Sequence, residues 1–173
     1  MENESPDSQP NPAPSDPGLA KFLEFGDFKT TELQTLIELA EYETRAAGEN
    51  VIHEGDPSDG MFIILEGRAS VFREFEGRRL ALAELQTGDF FGELALVDDG
   101  PRSAGVEAIT PCRLMKIGRD SARALAGVQP AAAIHLLTAV GRSLVERMRS
   151  GNQKYLDIVL SGKVPAAPTA HEA

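Results

Sequence analysis

The stretch GDFFGELALVDDGPRSAGVEA, Gly88 to Ala108, stands apart from everything around it. Its first half, Phe91-Gly92-Glu93-Leu94-Ala95-Leu96, reads as one helical turn entered through a glycine. The start of a helical turn exposes backbone N–H groups and partial positive charge, so it attracts anions. Gly92 carries no Cβ and lets a ligand come close to the backbone. Arg102 follows nine positions after Glu93, behind Gly100-Pro101 and ahead of the small residues Ser103-Ala104-Gly105. A guanidinium offers a planar fork of donors that matches two phosphate oxygens, and Ser103 adds a hydroxyl. Glu93 is the lone acceptor in a donor-rich set. A carboxylate there repels a bare phosphate but suits a ribose hydroxyl nearby. The parts together describe a pocket for a sugar phosphate with one free hydroxyl.

Outward from this stretch the texture changes twice. From Tyr42 to Lys116 short apolar runs are broken by nine glycines, most of them 7 to 12 residues apart. That punctuation predicts an antiparallel barrel or sandwich of short strands. Candidate strands are Glu43–Arg45, Asn50–His53, Met61–Leu65, Ala69–Arg73, Arg79–Leu85, Ser103–Ala108 and Arg113–Lys116, with Glu76-Gly77 as a hairpin turn. Upstream, Lys29 to Glu41 sets Leu33, Leu36 and Ile37 near one helical face, and Thr30 or Thr31 is a candidate cap. Downstream come a short helix over Arg119–Ala126 and a long one opened by Pro130. In the long helix Ile134, Leu137, Gly141, Leu144, Met148, Gly151, Tyr155 and Ile158 alternate steps of three and four, a heptad seam.

The chain has 173 residues, 42% hydrophobic and 25% charged, which suits a single soluble globular domain with short extensions. Residues 1–17 hold five prolines, four acids and no Lys or Arg, and read as a disordered acidic tail. The domain runs over residues 18–160, and the Ala/Pro-rich residues 161–173 read as a loose tail. Net charge is −10, which argues against a nucleic-acid binder and a polybasic membrane module. Cys112 is the lone cysteine, so an internal disulfide and a cysteine zinc site are both out. His53, His135 and His171 are too scattered for a cupin-type metal centre or a Ser-His-Asp triad. No secretory signal and no membrane span is visible, so the cytoplasm is the expected compartment.

The stretch from Gly88 to Ala108 resembles the phosphate-binding cassette of the cyclic nucleotide-binding domain family, which includes protein kinase A regulatory subunits and the catabolite activator protein. The match consists of Phe91-Gly92-Glu93-Leu94-Ala95 followed by Pro101-Arg102-Ser103-Ala104, with Glu54-Gly55-Asp56, Gly60, Ile64, Glu66-Gly67 and Gly88-Asp89-Phe90 at barrel turns. The resemblance implies an α+β fold: an eight-stranded antiparallel β-roll, a double-stranded β-helix jelly roll. An N-terminal helix and two C-terminal helices flank it, the last one long. It implies that Glu93 holds a ribose 2′-hydroxyl, that Arg102 pairs with a cyclic phosphate, and that Ser103 touches the phosphate. The N–H groups of Gly92, Leu94 and Ala95 then cap phosphate and ribose oxygens. Val71, Leu82 and Ala83 line the base pocket, and Asn152 reaches the base from the long helix.

The expected function is a stand-alone receptor, not an enzyme, for cyclic AMP, with cyclic GMP as the alternative ligand and no cofactor or metal. Output passes through the C-terminal helix to an unidentified protein partner, with a homodimer through that helix and no DNA contact, since no DNA-reading segment follows Leu160. The competing expectation is a ligand-free dimerisation module of the same fold.

Overall fold

The computed structural model describes residues 13, 15–24, 26 and 28–161. Most of the acidic tail and all but Ser161 of the C-terminal tail lie outside the described residues. Eight strands form two four-stranded antiparallel sheets: β1 (Glu41–Arg45), β2 (Asn50–Ile52), β3 (Gly60–Glu66), β4 (Arg68–Phe75), β5 (Arg78–Gln86), β6 (Phe90–Phe91), β7 (Gly105–Ala108) and β8 (Cys112–Gly118). One sheet runs β1-β8-β3-β6 and the other β2-β7-β4-β5. The α+β roll expected from the resemblance is the fold observed.

The alternation of strand side chains builds two cores at once. On β3, Met61, Ile63 and Leu65 face the helices, while Phe62 and Ile64 face the opposite sheet. β8 does the same with Met115 and Ile117 on one side and Cys112 and Leu114 on the other. β3 is buried on both faces from Gly60 to Leu65 and reads as a continuous apolar run, whereas Arg113 and Lys116, both partly exposed, interrupt β8. Cys112 is a buried thiol inside the roll, its pKa pushed up by burial. The Glu76-Gly77 turn is as expected: both residues have positive φ, 51° and 73°, joining β4 to β5. β6 went unforeseen because two residues carry no period-2 signal.

Four α-helices cover the first sheet: α1 (Pro17–Leu23), α2 (Thr30–Leu39), α3 (Arg119–Val128) and α4 (Pro130–Leu160). α1 is an addition to the expected single N-terminal helix. Asp16, assigned to the tail, caps it by accepting from the Gly18 and Leu19 N–H groups and pairs with Arg113 at 2.5 Å. Gly18 is obligatory there, since a Cβ would sit 2.6 Å from the Leu65 backbone. Neither threonine caps α2. Lys29 is the capping residue, and Glu32 reaches back to accept its N–H at 2.9 Å. α4 spans the expected residues, and it packs through Ala132, Ala133, Leu136, Ala139, Val140 and Ser143. The heptad residues Ile134, Leu137, Met148, Tyr155 and Ile158 are left exposed.

Glu32 joins α2 to α4. Its buried carboxylate accepts from His135 Nδ1 at 2.9 Å as well as from the Lys29 N–H. Those bonds, the Lys29 backbone bond foremost, hold its pKa below the usual carboxylate range against the opposing effect of burial. A carboxyl depressed in the folded state stabilises above its unfolded pKa and loses that contribution as pH falls through the folded value. Thermal melts of Glu32→Gln should therefore lie below wild type at neutral pH and converge with it under acid conditions. A gap independent of pH would show that the carboxylate charge plays no part.

Candidate functional site

β3 and β6 pair through Phe62↔Phe91 and Ile63↔Phe90, and the rings of Phe62 and Phe91 stack at 5.3 Å. This fixes where the chain leaves β6. Gly92 follows at φ 70°, in the left-handed region, and opens a 3-10 turn over Glu93–Leu96. A Cβ at Gly92 would lie 2.6 Å from Arg102 Nη1. The glycine thus serves a turn and a close approach together.

Arg102 is 8% exposed. Its Nη1 donates to Gly60 O at 2.8 Å and Gly92 O at 3.1 Å, and its Nη2 pairs with Asp59 Oδ1 at 3.0 Å. Burial pulls the guanidinium below its ordinary pKa, and the Asp59 charge works the other way. Burial also raises Asp59, but the bond from Lys116 and the charges of Lys116 and Arg102 outweigh it, and the carboxyl ends below its usual range. The loop before β3 is fastened to the cassette from both sides: Gly55 N–H to Arg102 O, Arg102 N–H to Asp56 O, and Ser58 Oγ to Gly100 O at 2.6 Å.

Glu93 is 4% exposed, and its Oε1 accepts from Arg147 Nη1 of α4 at 2.8 Å. Arg147 also donates through Nη2 to Phe90 O at 2.5 Å and lies over the Phe90 ring, 5.5 Å from its centroid. A charge buried this deeply needs a partner, and α4 supplies it.

Gly92, Glu93, Leu94, Ala95, Arg102 and Ser103 all line one pocket, together with Val71. The Ala95 N–H is spent inside the turn on Gly92 O at 3.1 Å. Leu82 and Ala83 are exposed on β5, and Asn152 is exposed on α4; none of the three is in the lining. Ile52, Ser58, Phe91, Val106 and Arg147 complete the walls and were not anticipated. Arg147 is within reach of sequence reasoning: a carboxylate in a closed site demands a cation, and α4 carries arginines at 142, 147 and 149. The arrangement offers a buried cation and a buried anion across one small cavity, fit for a ligand bearing an anionic group and a hydroxyl. Among the described residues no group of three or more metal-ligating side chains exists, and no helix is long and apolar enough to cross a membrane.

Residues 43–127 match the family model for the cyclic nucleotide-binding domain. A cAMP-dependent protein kinase regulatory subunit of Emericella nidulans is 44% identical over 81 residues, 47% of this chain and 19% of that protein. A CRP-like cAMP-activated global transcriptional regulator of Mycobacterium tuberculosis is 32% identical over 115 residues, 66% of this chain and 50% of that protein. The chain thus spans half or less of these relatives. A crystal structure of a cyclic nucleotide-binding domain from Methylobacillus flagellatus superposes with a TM-score of 0.75 at 24% identity, covering 86% of this chain and 85% of that one, a likeness of fold.

Gly92→Ala tests the cassette entry. Holding a side chain in the left-handed region costs about 1–2 kcal/mol, and the new methyl must displace Arg102. Chemical denaturation should show at least that loss. A variant as stable as wild type would mean the turn and Arg102 tolerate a Cβ there.

Proposed function

Since this chain belongs to the cyclic nucleotide-binding domain family through residues 43–127, we propose that it is a cytoplasmic receptor, not an enzyme, for a cyclic nucleotide, with cyclic AMP preferred over cyclic GMP. The observation that carries this is the opposed pair on one pocket: Arg102 buried as a cation, Glu93 buried as an anion. The cyclic phosphate goes to Arg102 and the Ser103 hydroxyl, and the ribose 2′-hydroxyl to Glu93. Val71 floors the base end. Both relatives above are named for cAMP, which supports adenine; a hydroxyl at Ser103 leaves cyclic GMP as the weaker ligand.

Arg147 gives the site an output. It rides on α4 and holds the carboxylate that the ribose hydroxyl also needs. Ligand arrival therefore bears directly on α4, and a ligand that favours one helix arrangement shifts its population. Beyond Ser143 every side chain of α4 is at least partly exposed, with Met148, Tyr155 and Ile158 along the heptad seam. That seam gains burial only against another surface. A second copy of the chain is its first occupant, giving a homodimer, and a protein partner then reads the rearranged helix. The net charge of −10 speaks against DNA as the surface contacted.

Calorimetric titration with both nucleotides is the test. Saturable binding, tighter for cyclic AMP, is expected, and no heat with either at millimolar concentration would overturn the receptor reading in favour of a ligand-free module. Arg102→Ala should weaken cyclic AMP by more than about a hundredfold, roughly 3 kcal/mol. Glu93→Ala should cost less, and 2′-deoxy cyclic AMP should then lose little more. Full additivity of those two changes would remove the ribose from Glu93.

A further inference from the structure

The far half of α4 carries three cations and no acid over Arg147-Met148-Arg149-Ser150-Gly151-Asn152-Gln153-Lys154, in a chain of net charge −10. Ser150 stands in the middle of this run. Of the two serines inside α4, Ser143 is buried against the roll and Ser150 is exposed. Ser150 Oγ and the Arg149 guanidinium have no hydrogen-bond or ion-pair partner among the described residues. Ser150 follows Ser143 by seven residues, about two turns, so it continues the stripe that faces the roll. The heptad seam through Met148, Gly151 and Tyr155 lies more than about 100° away around the helix. A second copy seated on that seam therefore leaves Ser150 open.

A serine with arginines three and one positions before it suits the cleft of an arginine-directed serine kinase, whose carboxylates pair with the guanidinium fork. Gly151 follows directly, and nothing lies within 4 Å of the place its Cβ would take. Glycine weakens a helix interior, so the chain opens here at low cost to the extended form such a cleft takes. Arg147 has a second claim on it. Its Nη1 donates to Glu93 Oε1 at 2.8 Å and its Nη2 to Phe90 O at 2.5 Å. Ser150 lies three residues further on, a spacing at which helix side chains meet. A phosphate on Ser150 brings a charge of about −1.5 to −2 and three acceptor oxygens beside Arg147. Lys154, four residues beyond, adds a second cation, and Glu146, four residues before, is the acid within one turn that opposes it.

We propose that Ser150 is a phosphorylation site for an arginine-directed serine kinase, and that the phosphate draws Arg147 off Glu93. The γ-phosphoryl group of a nucleoside triphosphate passes to Ser150 Oγ. The Oγ–P bond forms, the bond from that phosphorus to the bridging oxygen breaks, and the nucleoside diphosphate leaves. The hydroxyl proton goes to the catalytic aspartate of the kinase. Arg147 cannot serve the kinase cleft and Glu93 at once, so the ion pair with Glu93 slows the very modification that ends it. The site needs no nucleotide in the pocket, and its effect on Glu93 comes through the shared guanidinium.

The test starts from full-length protein free of cyclic nucleotide. It is incubated with magnesium ATP and a purified serine kinase that selects arginine three residues before its target, and phosphopeptides are mapped by mass spectrometry. Ser150 should take up close to one phosphate per chain, and Ser150→Ala should remove that signal. No phosphate at Ser150, or phosphate only elsewhere, overturns the site. Glu93→Gln frees Arg147 and should raise the initial rate at Ser150 by about twofold to fivefold, the factor that an ordinary exchangeable ion pair represents. An unchanged rate overturns the competition for Arg147. Carbon-13 NMR of side-chain carboxyls covers the case in which Glu93→Gln fails to fold. The Glu93 signal should move in fully phosphorylated wild type and hold still in Ser150→Ala treated alike. A Glu93 signal that holds still in phosphorylated wild type overturns the change of partner. A wild type that binds no cyclic AMP in calorimetry overturns the receptor reading alone, since both readouts above are taken without it.

Discussion

A guanidinium buried inside a small β-roll sets the terms for everything near it. Arg102 is enclosed, so its donors must meet acceptors within the protein, and the acceptors are two glycine carbonyls and Asp59. Any residue could supply those carbonyls; it is space that requires glycine at both positions. A side chain at Gly92 would collide with the guanidinium, and one at Gly60 would collide with the Ile117 carbonyl across the β3–β8 pair. The loop from His53 to Asp59 closes one turn of its own, Asp56 N–H to His53 O, and is otherwise held by its neighbours: Glu54 by Arg73 and Glu74, and the rest by Gly100 and Arg102. Moving that one cation would loosen a turn, a loop and a strand start together. An anion that engages Arg102 acts on all three.

The second buried charge is of opposite sign and is settled differently. Glu93 could have been neutralised from within the roll, but its partner Arg147 comes from a helix 54 positions further along the chain. Cost decides what such a contact can do. An isolated pair in a dry interior is poor at stabilising a fold, because desolvation offsets attraction. A pair whose cation is 44% exposed and whose anion is 6% exposed can exchange partners, because the cation returns to water easily. Arg102 is the permanent fixture and Arg147 the removable one, and only the removable one is carried on α4.

Much of this is legible in the sequence. Glycine spacing and short apolar runs placed seven of eight strands, since turns that need positive φ, such as Glu76-Gly77, leave a residue signature. Arg102, Glu93 and Ser103 stood out because their chemistry makes sense together in a short span. What could not be read depends on distance in sequence. β6 is two residues held by a ring stack on Phe62 rather than by any pattern of its own. α1 looked like tail because Asp16 and Pro17 continue a Pro/Asp composition, although one caps and the other opens a helix. The heptad of α4 was seen, but periodicity alone does not say which of two apolar faces meets the roll. Here the small residues Ala132, Ala139 and Ser143 do, because they allow close approach, and the larger heptad side chains point away.

That division places the two halves of α4 under different constraints. Its first half is committed to the core, and a shift there must drag Leu136 and Val140 through close-packed neighbours. Its second half has no such packing, so its order is decided by whatever holds it from the side. Arg147 stands just past the boundary between the halves, one turn beyond Ser143, the last buried residue. A contact at that boundary needs little energy to matter: it adds nothing to the committed half and sets the starting angle of the free one. The direction in which the exposed apolar seam beyond it points follows from that angle.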